Sequence, residues 1–262
     1  MNQEILQELK SWFVEYVATF KTGKADYDGD IVLKEDHTKR VCQEMLYIGE
    51  NLDLTKSDLQ LAEVMALFHD VGRFEQYARY GTFADRVSVN HAEFGVQILK
   101  EKQTLNNLGN EDQELIFRAI AYHNRQFLPK DESERCLYFS KLLRDADKLD
   151  IWKVFTDSYI DGANLSKAVI HGLQDTSGIS DTLYNDLIRG NVANYADAKN
   201  LNDFKLLQTG WVYDVNFIPT FRRIQERGYL IATRNALPQS AQIDEIFKVT
   251  ESYLKAHIQN VQ

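Results

Sequence analysis

The chain has 262 residues, of which 44% are hydrophobic, and its formal net charge is -9 at pH 7. A sequence of this length and apolar content can bury a substantial core, and we predict a single domain over residues 1–262. The negative charge argues against bulk binding of nucleic acid, because that needs a basic face to displace counterions from the phosphates.

The N-terminal segment and the cysteines indicate a cytoplasmic protein. Glu4 and Glu8 fall where a signal peptide needs an apolar core, and no stretch reaches the roughly 18 apolar residues of a membrane helix. Cys42 and Cys136 are the only cysteines, which is typical of free thiols rather than a disulfide framework. We therefore expect a cytoplasmic location without membrane association.

Apolar residues recur at helical spacing through most of the chain. The first stripe runs from Ile5 to Phe20 and predicts an N-terminal helix. His37 precedes Val41 by four residues, which places the imidazole on the inward face of a second helix. This periodicity predicts an all-α fold.

Two candidate metal donors stand together at the end of a third predicted helix. The pair Ser57 and Gln60 fits a capping box at its start, and Gly72 is expected to end it. His69 and Asp70 then fall on its last turn, directly after apolar residues. A carboxylate buried there is costly unless it is paired or binds a metal.

Three more candidate donors occupy comparable positions in later helices. His91 opens an apolar stripe for which Ser88 is the expected N-cap, and His123 closes the stripe over residues 115–120. Asp147 follows Leu143 by four residues in the run LYFSKLLRDADKLDIW. Each of these side chains is expected to point toward a core.

The rest of the chain predicts helices without further chemistry. Helical stripes run over residues 204–218 and 243–254, and the IATRNA segment near Gly228 is compatible with a short extended piece. His171 and His257 have no partner pattern, and we interpret both as ordinary residues.

Four of the six histidines thus combine with two aspartates into one ordered series. One histidine on an apolar helix face is usually a satisfied core residue, but four of them beside an adjacent His-Asp pair indicate a metal site. Such ligands favour iron, manganese, zinc, nickel or cobalt over magnesium or calcium. The series is His37, His69, Asp70, His91, His123 and Asp147.

The order of these donors resembles the HD-domain superfamily of metal-dependent phosphohydrolases. HDVGRFEQY and LLRDADKLD are similar to its two main motif regions. The resemblance implies a compact, all-α helical HD-domain bundle with additional C-terminal helices. The HD core would span approximately residues 30–155 and the C-terminal helical extension approximately residues 156–262.

The resemblance also implies how two divalent transition-metal ions would be held. His91 and His123 are similar to the extra ligands of the subset that binds two metals, and they would hold the second ion with Asp70 bridging. The first ion would be held by His37, His69, Asp70 and Asp147.

Other charged residues near the motifs have weaker assignments. Asp147 is preferred over Asp145 and Asp150 because the family's aspartate has a similar Ala-Asp-Lys context, and those two are expected to be solvated or in salt bridges. Arg73, three residues past Asp70, and Lys148 are candidate catalytic residues with Asp70. Each is expected either to contact a phosphate or to form a structural ion pair.

A site of this kind favours hydrolysis of a phosphate ester. Two divalent ions and two carboxylates leave a net charge of about +2, and metal coordination lowers the pKa of bound water from 15.7 to about 7. We predict a metal-dependent phosphohydrolase that cleaves a small phosphomonoester or phosphodiester, with nucleotides among the candidates, through a metal-bridging hydroxide.

Two other functions fit the same donors. Mixed-valent diiron HD-domain oxygenases use a His, His-Asp, His, His, Asp series of this type, so the spacing does not exclude oxygenase chemistry. The third alternative is a binding module that senses a nucleotide without turnover, although an intact set of six donors argues against it. The substrate, the metal and the oligomeric state are left open.

Overall fold

In the computed structural model, the chain is built from α-helices, which confirms the predicted fold class. Residues 2–161, 166, 168–170 and 173–259 are described, so His171 lies outside the described residues. Short 3-10 helices occur at Asp85–Val87, Tyr195–Asp197 and Trp211–Asp214. The α-helices, α1 to α12, are Gln3–Ala18, Ala25–Glu50, Lys56–Phe68, Val71–Tyr80, His91–Glu101, Asn110–Tyr122, Glu134–Asp161, Asp181–Ile188, Leu201–Gly210, Ile218–Glu226, Tyr229–Asn235 and Ala241–Gln259.

The chain divides into two compact units, residues 1–150 and 151–262. All six candidate donors lie in the first unit. A single domain with an HD core and a C-terminal extension stays a prediction. Within the described ranges, no helix is both long and apolar enough to span a bilayer.

An apolar core between its helices holds the first unit together. Helix α2 packs on α3 and α4, while α3 also packs on α1 and α6. The buried ring of Phe13 in α1 lies 6.5 Å from that of Phe68 and 5.8 Å from that of Phe74, both edge to face. Burial of each such ring contributes about 2–3 kcal/mol. These contacts fix the junction between α3 and α4.

That junction consists of His69 and Asp70. Asp70 has φ -104° and ψ 13°, outside the helical range, so α3 ends at Phe68 and α4 starts at Val71. The prediction that one helix continues to Gly72 is therefore wrong. The N-cap of α3 also differs from the predicted Ser57, because Thr55 Oγ1 accepts a hydrogen bond from the backbone of the third residue after it.

Helices α4 and α5 cross at two glycines. A Cβ on Gly72 would lie 2.2 Å from the backbone oxygen of His91 and 2.7 Å from the amide nitrogen of Gly95. Gly72 therefore permits a close crossing instead of ending a helix. The crossing brings Asp70, just before α4, next to His91, the first residue of α5.

The N-terminus of α5 is capped by Asn90 and not by the predicted Ser88. Asn90 Oδ1 accepts hydrogen bonds from the backbone nitrogens of Ala92 at 3.0 Å and Glu93 at 3.2 Å. Ser88 instead donates its hydroxyl proton to the backbone oxygen of Ala84 at 2.9 Å. This cap fixes where α5 begins and so orients its first side chain.

The second unit is a separate helical cluster. Helix α12 packs against α8, α10 and α11, and α9 packs against α8 and α11. Buried Asp203 accepts hydrogen bonds from the backbone nitrogen of Ser180 at 2.7 Å and its hydroxyl at 2.6 Å. The short extended piece expected near Gly228 is wrong: Tyr229–Asn235 is helical, and Gly228, at φ +64°, starts it.

Candidate metal centre

Four buried histidines converge in the first unit as two pairs. His37 comes from α2, His69 from the α3–α4 junction, His91 from the start of α5 and His123 from the end of α6. The Nε2 atoms of His37 and His69 are 3.2 Å apart, and those of His91 and His123 are 3.0 Å apart. Four separate chain segments therefore supply this cluster.

Each of these imidazoles donates a hydrogen bond from Nδ1, away from the cluster. Carbonyl and carboxylate oxygens can only accept, so Nδ1 carries the proton and Nε2 presents a lone pair inward. Metal-binding histidines are held in this way. The acceptors, at 2.6–2.7 Å, are Asp150 Oδ2 for His37, Ala66 O for His69, Asp85 Oδ2 for His91 and Ile120 O for His123.

Asp70 lies between the two pairs and turns one carboxylate oxygen toward each. Its Oδ2 is 3.5 Å from His37 Nε2 and 3.8 Å from His69 Nε2. Its Oδ1 is 3.3 Å from His91 Nε2 and 3.9 Å from His123 Nε2. A carboxylate in this position can bridge two metal ions.

Asp147 adds a second carboxylate beside the first pair. Its Oδ1 is buried, lies 3.2 Å from His37 Nε2 and 3.6 Å from His69 Nε2, and accepts no hydrogen bond of normal geometry from a described residue. A buried carboxylate oxygen without a donor, facing inward lone pairs, needs a cation. The donors therefore fit metal ions.

Three overlapping groups have ligand atoms within 4.8 Å of one another: His37, His69 and Asp70; His69, His123 and Asp147; and Asp70, His91 and His123.

The second pair is neutral at physiological pH. Burial, together with the neighbouring His91 and His69, lowers the pKa of His123 to about 3. Burial and the Arg73 guanidinium also lower the pKa of His91. Neutral imidazole is the form that binds a metal.

The carboxylates in the cluster are ionised. Burial acts to raise the pKa of Asp70, but Lys34, His69 and Arg73 hold it well below its usual range. Burial is outweighed in the same way at Asp147, whose pKa is also held well below its usual range by the neighbouring imidazoles. Both carboxylates are therefore ready to bind cations.

His37 behaves differently from the second pair. Burial and the Lys34 ammonium lower its pKa, but the adjacent carboxylates of Asp147 and Asp150 raise it overall. In the absence of metal, a proton on this ring would partly neutralise the adjacent carboxylates. Metal binding must displace that proton.

The outer carboxylates are each paired with an arginine. Asp150 accepts from Arg40 Nε at 2.5 Å and Nη2 at 3.1 Å. The sequence predicted that Asp150 is solvated or in a salt bridge, which agrees with its pair with Arg40. The contact of Asp150 with His37 was not predicted. Asp85, which accepts from Arg73 Nη1 at 2.8 Å, was not singled out at all, because only the fold brings it to His91.

Lys34 is a further residue that sequence reasoning missed. Its Nζ donates to Asp70 Oδ2 at 2.8 Å and lies 5.5 Å from the centre of the Phe83 ring. Lys34 precedes His37 by three residues on α2, so both fall on one helix face. This three-residue spacing from His37 is the sequence signal that could have identified Lys34 as part of the site.

The two cations predicted to meet a substrate already bond to protein groups. Arg73 Nη1 donates to Asp85 and to the backbone oxygen of Phe83. Lys148 is buried on α7, and its Nζ lies 3.5 Å from the backbone oxygen of Arg144. The bond between Arg73 Nη1 and Asp85 agrees with the predicted structural ion pair. A phosphate contact by Arg73 or by Lys148 stays a prediction.

Comparison with known families identifies the segment that carries this cluster. The family model of the HD domain matches residues 35–152, which contain all six donors. This match confirms the predicted resemblance for this part of the chain. HD-domain proteins bind divalent metals and are commonly metal-dependent hydrolases. Comparisons with curated proteins and with solved structures found no match.

Proposed function

We propose that this protein is a phosphohydrolase that binds two divalent transition-metal ions at this centre. The observation that carries the proposal is the position of Asp70, which presents one oxygen to each of two histidine pairs with outward-bonded Nδ1 atoms. One ion would be held by His37, His69, Asp147 and Asp70 Oδ2, and the other by His91, His123 and Asp70 Oδ1.

When bound, such ions lower the pKa of water to about 7 and polarise phosphoryl oxygens. The chain supplies the rest of the environment. Buried Asp70 and half-buried Asp147 hold negative charge at fixed positions. The histidines take no proton from the reaction because Nε2 is committed to binding. No protein nucleophile is needed for hydrolysis.

Lys34 is the chain's candidate for binding the phosphate. Its ammonium donates to Asp70 Oδ2 and so lies beside the donors, while its side chain is still 16% exposed. An ammonium carries three donors on a flexible stem and can contact Asp70 and a phosphate oxygen together. We propose a small phosphomonoester or phosphodiester as the substrate, with nucleotides among the candidates. The site is local and the net charge of the protein is negative, so a small phosphate ester fits better than a long polyanion.

Metal analysis and a substrate panel test this proposal. Protein purified without oxygen should contain about two transition-metal ions per chain and hydrolyse a member of a panel of phosphoesters and nucleotides. Asp70→Ala should lose both the metals and hydrolysis, while Asp58→Asn, which breaks an exposed pair with Arg135, should change neither. A metal-replete protein inert toward the whole panel would contradict the proposal.

An oxygenase is the second candidate, and one observation favours it. Arg73 Nη1 already bonds to Asp85 and to the backbone oxygen of Phe83, which leaves only Nε and Nη2 of this guanidinium to meet a phosphate. Four imidazoles and two carboxylates also suit iron. Two irons per chain, oxygen consumption during turnover and no anaerobic phosphatase activity would establish this alternative.

A further inference from the structure

We infer that Asp85 is a positioning residue that controls how tightly the ion at the His91–His123 pair is held, and that this ion is the more weakly bound of the two. The inference rests on the proposed two-metal site. It concerns a residue outside the six predicted donors, in the short 3-10 helix that precedes α5.

Asp85 connects both sides of the second pair. Its Oδ2 accepts from His91 Nδ1 at 2.6 Å and from Asn124 Nδ2 at 3.2 Å. Its Oδ1 accepts from Arg73 Nη1 and Gln76 Nε2, each at 2.8 Å. Asn124 directly follows His123, so this one carboxylate orients one ligand directly and holds the side chain of the residue next to the other.

A carboxylate that accepts from Nδ1 has three effects on a ligating imidazole. It fixes the tautomer, holds the ring plane and makes Nε2 a stronger donor. Removal of such a partner typically weakens metal binding 10–100-fold. Asp85 should therefore act on the ion at His91 and His123 without contacting it.

Asp150 provides the same contact for the first pair, but in a different environment. The Asp150 side chain is 1% exposed and lies within the long helix α7, whereas the Asp85 side chain is 30% exposed in a three-residue 3-10 helix. The protein would also offer four donor residues to the first ion and three to the second. Fewer donors and a solvent-accessible outer partner both predict that the second ion dissociates first.

Titration of the metal-free protein with Mn²⁺ tests this inference, with bound metal per chain measured after equilibrium dialysis. Wild-type protein should show two steps, the second at higher Mn²⁺ concentration. Asp85→Asn should raise the dissociation constant of the second step 10–100-fold and leave the first unchanged. Asp150→Asn should instead weaken the first step.

Asp58→Asn is the matched control, because the Arg135–Asp58 pair at 2.7 Å resembles the Arg73–Asp85 pair at 2.8 Å but involves no histidine. It should leave both steps unchanged. Should Asp85→Asn fail to fold, as judged by circular dichroism, Asn124→Ala removes one donor to Asp85 and should weaken the second step by a smaller factor.

The outcomes separate this inference from the proposed function. Two bound ions in wild-type protein, with Asp85→Asn weakening both steps equally or neither, would overturn the role of Asp85 alone. A wild-type protein that binds one ion per chain would overturn the two-metal site itself.

Discussion

Each of the four clustered histidines uses both ring nitrogens. Nδ1 donates a hydrogen bond to an oxygen outside the cluster, and Nε2 faces the interior of the cluster. His257 shows the contrast. Its Nδ1 also bonds a backbone oxygen, that of Tyr253 at 2.9 Å, but its ring stacks on Phe221 with centroids 4.8 Å apart. A buried imidazole becomes a metal donor only where other donors face its second nitrogen.

Lys34→Met should destabilise the metal-free protein more than the metal-loaded protein. Without metal, Lys34 is the ammonium that pairs with the buried Asp70 carboxylate at 2.8 Å, and loss of one partner of a buried pair costs about 3 kcal/mol. Bound metals would neutralise Asp70 and reduce that loss. Urea unfolding with and without Mn²⁺ measures the difference.

Lys39→Met is the control for this prediction. Lys39 lies on the same helix and pairs with Glu35, but its side chain is 52% exposed. An exposed pair contributes at most about 1 kcal/mol, so the effect should be small and independent of metal. Equal losses for Lys34→Met in both metal states would contradict the assigned role of Lys34.

At the scale of elements, the close crossing of α4 and α5 determines whether the two halves of the centre meet. Asp70 immediately precedes one helix and His91 begins the other. The crossing places Asp70 Oδ1 3.3 Å from His91 Nε2. A wider crossing would move the second histidine pair away from the carboxylate that connects it to the first.

Gly72→Ala should therefore reduce metal binding as well as stability. The new Cβ would meet backbone atoms of α5, which cannot turn aside as a side chain can. We expect a loss of about 1–3 kcal/mol or more from overpacking and less than two bound metals per chain. Thermal unfolding and metal analysis of the same preparation measure both.

Gly29→Ala is the matched control, since Gly29 is also helical but a Cβ there would meet nothing within 4 Å. Alanine should stabilise this position by about 0.5–1 kcal/mol because glycine disfavours helix interiors. Normal metal content in Gly72→Ala would show that the crossing distance does not govern the centre.

At the scale of the whole molecule, the buried histidines should make the stability of the metal-free protein depend on pH. The pKa of His123 is about 3 in the folded chain, against about 6.5 unfolded. Below pH 6.5 the unfolded chain therefore binds the extra proton, and stability falls as pH falls. His37, whose pKa is raised above 6.5, loses its proton only at higher pH and so does not contribute to this fall in stability. From pH 6.5 to 5 the loss from His123 should be about 1–2 kcal/mol.

Denaturant unfolding at a series of pH values in the presence of a chelator measures this slope. His123→Asn should reduce it, because the substituted residue does not titrate. Metal-loaded protein should be more stable at neutral pH, by about 2.7 kcal/mol at a free metal concentration 100 times the dissociation constant. A metal-free stability that is constant from pH 6.5 to 5 would contradict a buried neutral His123.

The sequence by itself determined the fold class, the HD domain and the six candidate donors. Helical periodicity depends on local spacing, which is why the inward positions of His37 and His123 were predictable. The adjacent pair His69-Asp70 is a local motif as well. Helix boundaries were less predictable, because Gly72 and Ser88 carry ordinary local signals whose meaning depends on what packs against them.

Tertiary structure alone decided how the donors are arranged and supported. The two histidine pairs, the separate orientation of each Asp70 oxygen and the contacts of Lys34 and Asp85 join residues that are distant in the chain or lie in turns. No periodicity encodes such contacts. Asp85 comes to His91 only because the α4–α5 crossing and the Asn90 cap fix the intervening turn, and a hydrogen bond depends on angles and distances that only the packed helices define.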